Sequence, residues 1–261
     1  MHGCMIDGAV QKIDADALGG RPLRYFDFVM AAFVVILVLT NVIAGKLFLA
    51  FPETFPDGIF GEAVTLTAGL ITYPLTFLLT DVVCEVYGQR RANLMVVTGF
   101  VMSILMLGIV QIALVVPGSP VWPAGNPNYD TVAQIQQAYE SVFTLPGMLL
   151  LGSMTAYLAA QLLDVKLFHF WKRVTRGKHL WLRNNASTMT SQLVDTIIVN
   201  SIFLGWGLGL SWEIVGKIIV ASYIAKVILA LADTPFIYLG VAVVRRVARL
   251  PDPGDGVDIL V

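Results

Sequence analysis

The 261-residue sequence predicts an all-α polytopic membrane protein, with six transmembrane helices and both termini in the cytoplasm. Three observations predict it. Hydrophobic residues make up 57% of the chain, only 13% are charged and mean hydropathy is +0.76, which is more apolar surface than one soluble core can hide. Six stretches reach the length of about 20 apolar residues that a bilayer core demands. Lys and Arg then fall on alternate connections.

The tail 1–24 is mixed polar, and the apolar run after it shows no small-residue cleavage pattern, so a removable signal peptide is not expected. The six-helix membrane domain covers 25–246, with spans expected at 26–50, 64–87, 93–116, 143–168, 187–210 and 214–244. A second polar tail covers 247–261. Lys12, Arg21 and Arg24 precede the first span, Arg90 and Arg91 follow the second, and Lys166, Lys172, Arg173, Arg176, Lys178 and Arg183 surround the fourth connection. Arg245, Arg246 and Arg249 follow the sixth span, so fourteen of the 17 basic residues lie at inside-type positions, while 51–63 and 117–142 hold none. That alternation orients the chain with both ends inside.

Trp122, Trp206 and Trp212 fall at the outer ends of spans and Trp171 and Trp181 at the inner ends, where amphipathic rings favour the headgroup level. The segment 169–184 mixes aromatics and cations, which suits either an ordinary connector or a strip lying on the inner surface. The outer stretch 117–141 starts rich in Pro, Gly and Asn and is expected to be an irregular lid with one short helix. Cys4 and Cys84 lie in unlike surroundings, so no disulfide is expected, and nothing in the composition supports nucleic-acid binding.

Lys46, Asp81, Glu85, Asp164, Asp195, Lys226 and Asp233 remain within the spans. Each costs roughly 2.5–3.5 kcal/mol at a helix centre, so the set must turn inward and pair or line a hydrated cavity. Tyr73, Phe77, Asp81 and Glu85 are spaced four apart on one stripe, Gln192 and Asp195 share a face of the fifth span with Asn200 deeper, and Ser222, Lys226, Leu229 and Asp233 line a face of the sixth. Gln161 and Asp164 repeat the Gln-x-x-Asp spacing. Stripes on four helices predict a shared pocket.

Each feature has a plainer reading. Asp81 and Glu85 suit helix-end carboxylates neutralised by Arg90 and Arg91, Asp164 sits near the cytoplasmic edge beside Lys166, and Lys46 can snorkel outward. Lys226 has no such escape and calls for an ion pair with Asp233, Asp195 or Asp81. Asn41 suits interhelical glue, and Tyr73 and Phe77 suit packing. Pro74 and Pro235 lie inside spans, and Gly205, Gly207 and Gly209 close the fifth, as in broken helices beside substrate sites. Carboxylates outnumber lysines in the set, which favours a ligand with N–H donors or positive charge: an amidine-like purine edge meets a carboxylate in two parallel hydrogen bonds, and a cationic metabolite or an ion suits the composition equally well.

The segments "YPLTFLLTDVVCEVYGQRRAN", "LWLRNNASTMTSQLVDTIIVNSIFL" and "YIAKVILALADTPFIYLGV" resemble the queuosine precursor transporter family, six-helix inner-membrane proteins once grouped as vitamin uptake transporters. The patterns that carry the likeness are Thr-Asp-x-x-x-Glu-x-Tyr-Gly at 80–88, Ser-Gln-x-x-Asp-Thr at 191–196 and Asp-Thr-Pro at 233–235. The resemblance implies import of 7-cyano-7-deazaguanine and its 7-aminomethyl relative, with no cofactor and no metal. Carried over by motif, Asp81, Glu85, Gln192, Asp195, Lys226 and Asp233 are the expected contact or gating residues, joined by Asn41, Tyr73, Phe77 and Asn200 from the stripes. The implied partners are a deazapurine, the lipid bilayer and, compatibly, a second copy. One alternative is a substrate-binding subunit that needs an ATPase partner, but the Ala-x-x-x-Ala docking pattern is missing from the first span. The other is an intramembrane enzyme, disfavoured because His2, His169 and His179 all fall outside the spans.

Overall fold

A computed structural model describes residues 11–14, 21–44, 46–49, 65–144, 147–248, 250 and 257–260. Among them run seven α-helices: α1 (Arg21–Ile43), α2 (Tyr73–Val86), α3 (Gly88–Val115), α4 (Val132–Phe143), α5 (Gly147–Val174), α6 (Leu180–Asn200) and α7 (Trp212–Ala248). The chain is an all-helical, polytopic membrane protein. Four segments, Pro22–Ile43, Ala68–Val86, Gly88–Val115 and Trp212–Ala248, are long and apolar enough to cross a bilayer by length and composition. Their outward faces carry Phe28, Ile112 and Leu239, each more than 60% exposed, so the apolar surface points away from the bundle, as lipid contact requires.

Polarity instead collects at the centre. Helix α6 buries Arg183, Asn184, Asn185, Ser187, Thr188, Ser191, Gln192, Asp195 and Thr196, and packs most extensively against α5. An apolar cluster that includes Phe26 and Phe33 of α1, Val83 of α2, Met95 of α3, Phe168 of α5 and Ile237 of α7 seals it on one side. Tyr157 of α5 belongs to this cluster and donates its hydroxyl to the Val96 carbonyl of α3 at 3.0 Å. Gly99 lets α1 approach α3: a Cβ there would lie 2.7 Å from Phe33 Cε1 and 2.8 Å from Leu37 Cδ2.

The helices break where the sequence supplies the means. Gly88, at φ +80, turns α2 into α3, and Gly177, at φ +75, lies in the turn between α5 and α6. The second span is not one continuous helix. A 3-10 turn (Ala68–Ile71) precedes α2, and Pro74 sits in the first turn of α2, where its missing N–H costs nothing. Helix α6 runs on into a π-helical segment (Ser201–Gly207) that holds Gly205 and Gly207. Pro235 lies inside α7 and deprives the Leu231 carbonyl of its helical donor.

Two short ladders complete the fold. Strands β2 (Leu47–Leu49) and β3 (Thr65–Thr67) pair antiparallel, and β1 (Gln11–Asp14) pairs parallel with β4 (Val257–Leu260). The start of α1, the α2–α3 turn and the α5–α6 turn gather at one end of the bundle: Phe26 packs on Tyr87, Arg91 stacks over Phe26, and Lys172 reaches Glu85. The segment 169–184 is neither a surface strip nor a long connector, because α5 runs to Val174 and α6 starts at Leu180. The lid expected at 117–141 contains α4, opened by a capping box between Thr131 and Gln134. His2, Cys4, Arg249 and the connection 51–63 lie outside the described residues.

Candidate functional site

A cleft opens between α2, α6 and α7. Its lining is Leu70 of the 3-10 turn, Tyr73, Pro74 and Phe77 of α2, Thr188 and Gln192 of α6, and Lys226, Leu229, Ala230 and Asp233 of α7. It encloses about 260 Å³ of empty space counted out to its mouth, and its inner part admits little more than a water molecule. Lys226 is the cation of the cleft. Its ammonium donates to Asp195 Oδ2 at 2.6 Å and lies 4.8 Å from the centre of the Tyr73 ring. The two charges thus neutralise each other in a site where the Lys226 and Asp195 side chains are only 14% and 9% exposed.

Three polar groups around this pair are left without a hydrogen bond among the described residues. The Tyr73 hydroxyl and Gln192 Oε1 are buried without a hydrogen-bond partner. Asp233 is half-buried and makes neither an ion pair nor a hydrogen bond among the described residues. Its neighbour Thr234 is held by Asn185 of α6, whose Nδ2 donates to Thr234 Oγ1 at 2.9 Å, so Asp233 is fixed at the cleft wall by the contact of α6 with α7. Tyr73 and Phe77 stand with ring centres 5.1 Å apart and tilted by 55°, forming an aromatic wall on the α2 side.

Behind the cleft, Thr188 donates to Asp81 Oδ2 at 3.3 Å and Ser191 donates to Asp164 Oδ1 at 2.9 Å. Farther toward the α5–α6 turn, Arg183 makes a 2.6 Å ion pair with Glu85 Oε2, which also meets Lys172 at 3.3 Å. Arg183 donates to the carbonyls of Gly177 at 2.9 Å and Lys178 at 3.3 Å, and its guanidinium stacks over Phe168.

Residues 67–240 match the family described as "putative vitamin uptake transporter". The chain belongs to this transporter family. A curated relative, the "Probable queuosine precursor transporter" of Bacillus subtilis (strain 168), is 31% identical over 182 residues, which cover 69% of this chain and 72% of the relative. No solved structure matches. As a member of a transporter family the protein is a transporter and not an enzyme.

In this vitamin uptake transporter-type chain, Tyr73, Phe77, Gln192, Lys226 and Asp233 come together in the cleft, with Asp195 tied to Lys226. Asp81 stands one layer behind, joined to the cleft through Thr188. Glu85 does not reach the cleft. Asn41 bonds Ser103 of α3 at 3.4 Å and lines a separate gap under α4, and Asn200 caps the Thr196 carbonyl of its own helix at 2.8 Å. Neither asparagine lines the cleft.

Two readings from the sequence change. Glu85 is neutralised by Arg183 and Lys172, not by Arg90 and Arg91, and Arg183 is a buried structural cation with a 2% exposed side chain rather than a loop charge. Asp164, expected near the edge beside Lys166, is fully buried and held by Ser191 of α6. The repeat of Gln-x-x-Asp at 161–164 and 192–195 was the available signal for Asp164, since both aspartates turn to the interior. Nothing local marks Arg183, whose acidic partner lies 98 positions earlier in the chain.

Proposed function

We propose that this transporter imports queuosine precursors, 7-cyano-7-deazaguanine and its 7-aminomethyl relative, across the inner membrane through the carboxylate-lined cleft of α2, α6 and α7. The observation that carries the reading is Asp233: a half-buried carboxylate with no partner among the described residues, beside the unbonded Tyr73 hydroxyl and Gln192 carbonyl and the aromatic wall. A carboxylate accepts the ring N–H and exocyclic amine of a guanine-like edge in two parallel bonds, and Gln192 takes a further donor. The Tyr73 and Phe77 rings cover a flat heterocycle. Asp195 holds Lys226 in place, so that the cleft offers one net negative charge instead of two.

The cleft is too narrow for a bicyclic base as it stands, so entry requires α2 and α7 to part. Pro235 gives α7 a weak point beside the cleft, where a helical hydrogen bond is already missing, and on the α2 side the 3-10 turn that ends just before Pro74 interrupts the helix. Six crossings with both ends in the cytoplasm fit this arrangement. The parallel pairing of β1 with β4 brings the two ends together, and the end of the bundle that collects Arg91, Lys172 and Arg183 is the basic one. Helices α5 and α6 supply the two remaining spans, their polar residues turned inward.

The test is complementation. A strain unable to make the precursors is grown on limiting 7-cyano-7-deazaguanine with the intact chain or with Asp233→Asn, Asp195→Asn or Gln192→Leu, and queuosine is measured in transfer RNA. The intact chain restores it; the variants, at equal membrane levels, lower it at least about tenfold, the effect of losing one charge-assisted hydrogen bond. Full rescue by all three rules out the cleft as the substrate site. Uptake by the purified chain in liposomes that occurs only with an added ATPase module would show instead that the chain is a subunit of a larger pump.

A further inference from the structure

Asp81 of α2 and Asp164 of α5 are 1% and 0% exposed. The ion pairs among the described residues go elsewhere: Glu85 with Arg183 and Lys172, Asp195 with Lys226, and Glu213 with Lys217. One oxygen of each aspartate is served by a hydroxyl of α6, Thr188 for Asp81 and Ser191 for Asp164. The other oxygens, Asp81 Oδ1 and Asp164 Oδ2, are buried without a donor, and the two hydroxyls that hold the acids stand one turn apart on α6, which sets the acids side by side. Ionised carboxylates only accept hydrogen bonds, so two of them in contact need a hydrogen between them. Without it, two like charges would be buried with no ion-pair partner among the described residues.

A second observation points the same way. Gln161 stands one turn from Asp164 on the same face of α5, is 0% exposed, and has neither its amide nitrogen nor its carbonyl oxygen bonded to the protein. A donor and an acceptor left open beside a buried acid pair suit a proton or a protonated water in transit. The neighbourhood holds further titratable groups: Cys84 and Glu85 of α2, Lys172 of α5 and Asp233 of α7. Thr188 both lines the cleft and donates to Asp81, so the pair is in hydrogen-bonded contact with the substrate site without belonging to it.

We infer that Asp81 and Asp164 share one proton and form a proton-carrying site separate from the Asp195–Lys226 pair, through which import is coupled to proton entry. The proton is taken from the outer solution when the cleft is open to it, is held between Asp81 Oδ1 and Asp164 Oδ2 during the crossing, and is released to the cytoplasm. No bond of the substrate changes. The transport half of this inference rests on the importer reading above; the shared proton does not.

Two measurements test it. Infrared spectra of the purified chain, recorded as pH is raised, should lose a protonated-carboxyl C=O band that is absent from both Asp81→Asn and Asp164→Asn and retained in Asp233→Asn. A spectrum in which neither variant removes such a band overturns the shared proton, whatever the substrate is. In liposomes, wild-type protein should accumulate neutral 7-cyano-7-deazaguanine when the outside is more acidic, up to about tenfold per pH unit for one proton per molecule. Asp164→Asn, whose amide imitates the protonated acid, should bring that ratio down to unity while exchange of labelled for unlabelled substrate continues. Accumulation by the wild type that ignores the pH gradient, or that follows a sodium gradient instead, overturns the coupling and can be read even if the variants fail to fold. Absence of any exchange by the wild type would refute the importer reading, leaving the infrared band to decide the proton pair by itself.

Discussion

Replacing Arg183 with Gln removes the cation from a pair that water barely reaches. The side chains of Arg183 and Glu85 are 2% and 5% exposed and their charged atoms are 2.6 Å apart. Breaking such a pair from one side costs about 3–5 kcal/mol, because the surviving charge stays buried. The lower end applies here, since Lys172 remains 3.3 Å from the same Glu85 oxygen and its side chain is 32% exposed. About 3 kcal/mol in a chain of this size corresponds to a fall in Tm of about 6–12 °C. Thermal unfolding of the purified protein in a mild detergent measures it. Glu85→Gln should cost a similar amount, and the double variant, with two neutral amides facing each other, should lose at least about 2 kcal/mol less than the sum. A shift below 2 °C for Arg183→Gln, or strict additivity in the cycle, would refute the view that this pair locks α2 to α6.

Three further outcomes are expected. Gln192→Leu removes a buried carbonyl that has no donor, so it should raise Tm by a few degrees while lowering precursor uptake; a fall in Tm would mean that Oε1 is satisfied within the fold. Gly99→Val places a branched side chain where even a Cβ meets Phe33 at 2.7 Å and the Tyr157 hydroxyl at 3.0 Å, and should destabilise by about 1–3 kcal/mol, read as a lower Tm. Thr131→Ala abolishes the capping box of α4, a helix without a buried residue; amide hydrogen exchange across 132–143 should accelerate about 5–30-fold with uptake unchanged, and unchanged exchange would remove the cap from the account.

The spans were legible because their signal is local. An apolar run long enough for a bilayer, bounded by cations on alternate sides, locates a helix without knowledge of its neighbours: a helix lies in each expected stretch and four segments have the length and composition of a span, although α2 starts at Tyr73 rather than 64 and α6 ends at Asn200 rather than 210. Helix α6 shows the limit of hydropathy: Asn184, Asn185, Ser187, Thr188, Ser191 and Gln192 dilute its apolar content, and all six are buried against protein. The stripes Tyr73–Phe77 and Lys226–Asp233 led to the cleft, since four-residue spacing keeps side chains on one face. Asn41 and Asn200 could not be sorted in that way. Spacing says which residues share a face, but not which helix that face meets. Pairings across long stretches of chain, such as Arg183 with Glu85 or β1 with β4, depend on tertiary geometry that no short window contains. The 3-10 and π-helical segments escaped for a related reason: their Pro and Gly residues announce irregularity but not its form.

The register that sets Gln11 beside Val257 and Asp14 beside Leu260 makes the bundle a nearly closed loop of chain. Fluorophores attached at the two extremities would remain at one short separation while the middle of the molecule rearranged, so energy transfer between them would report unravelling and stay silent about opening. A circular permutant joined there and cut within the exposed segment before α4 would keep every helix in its present company.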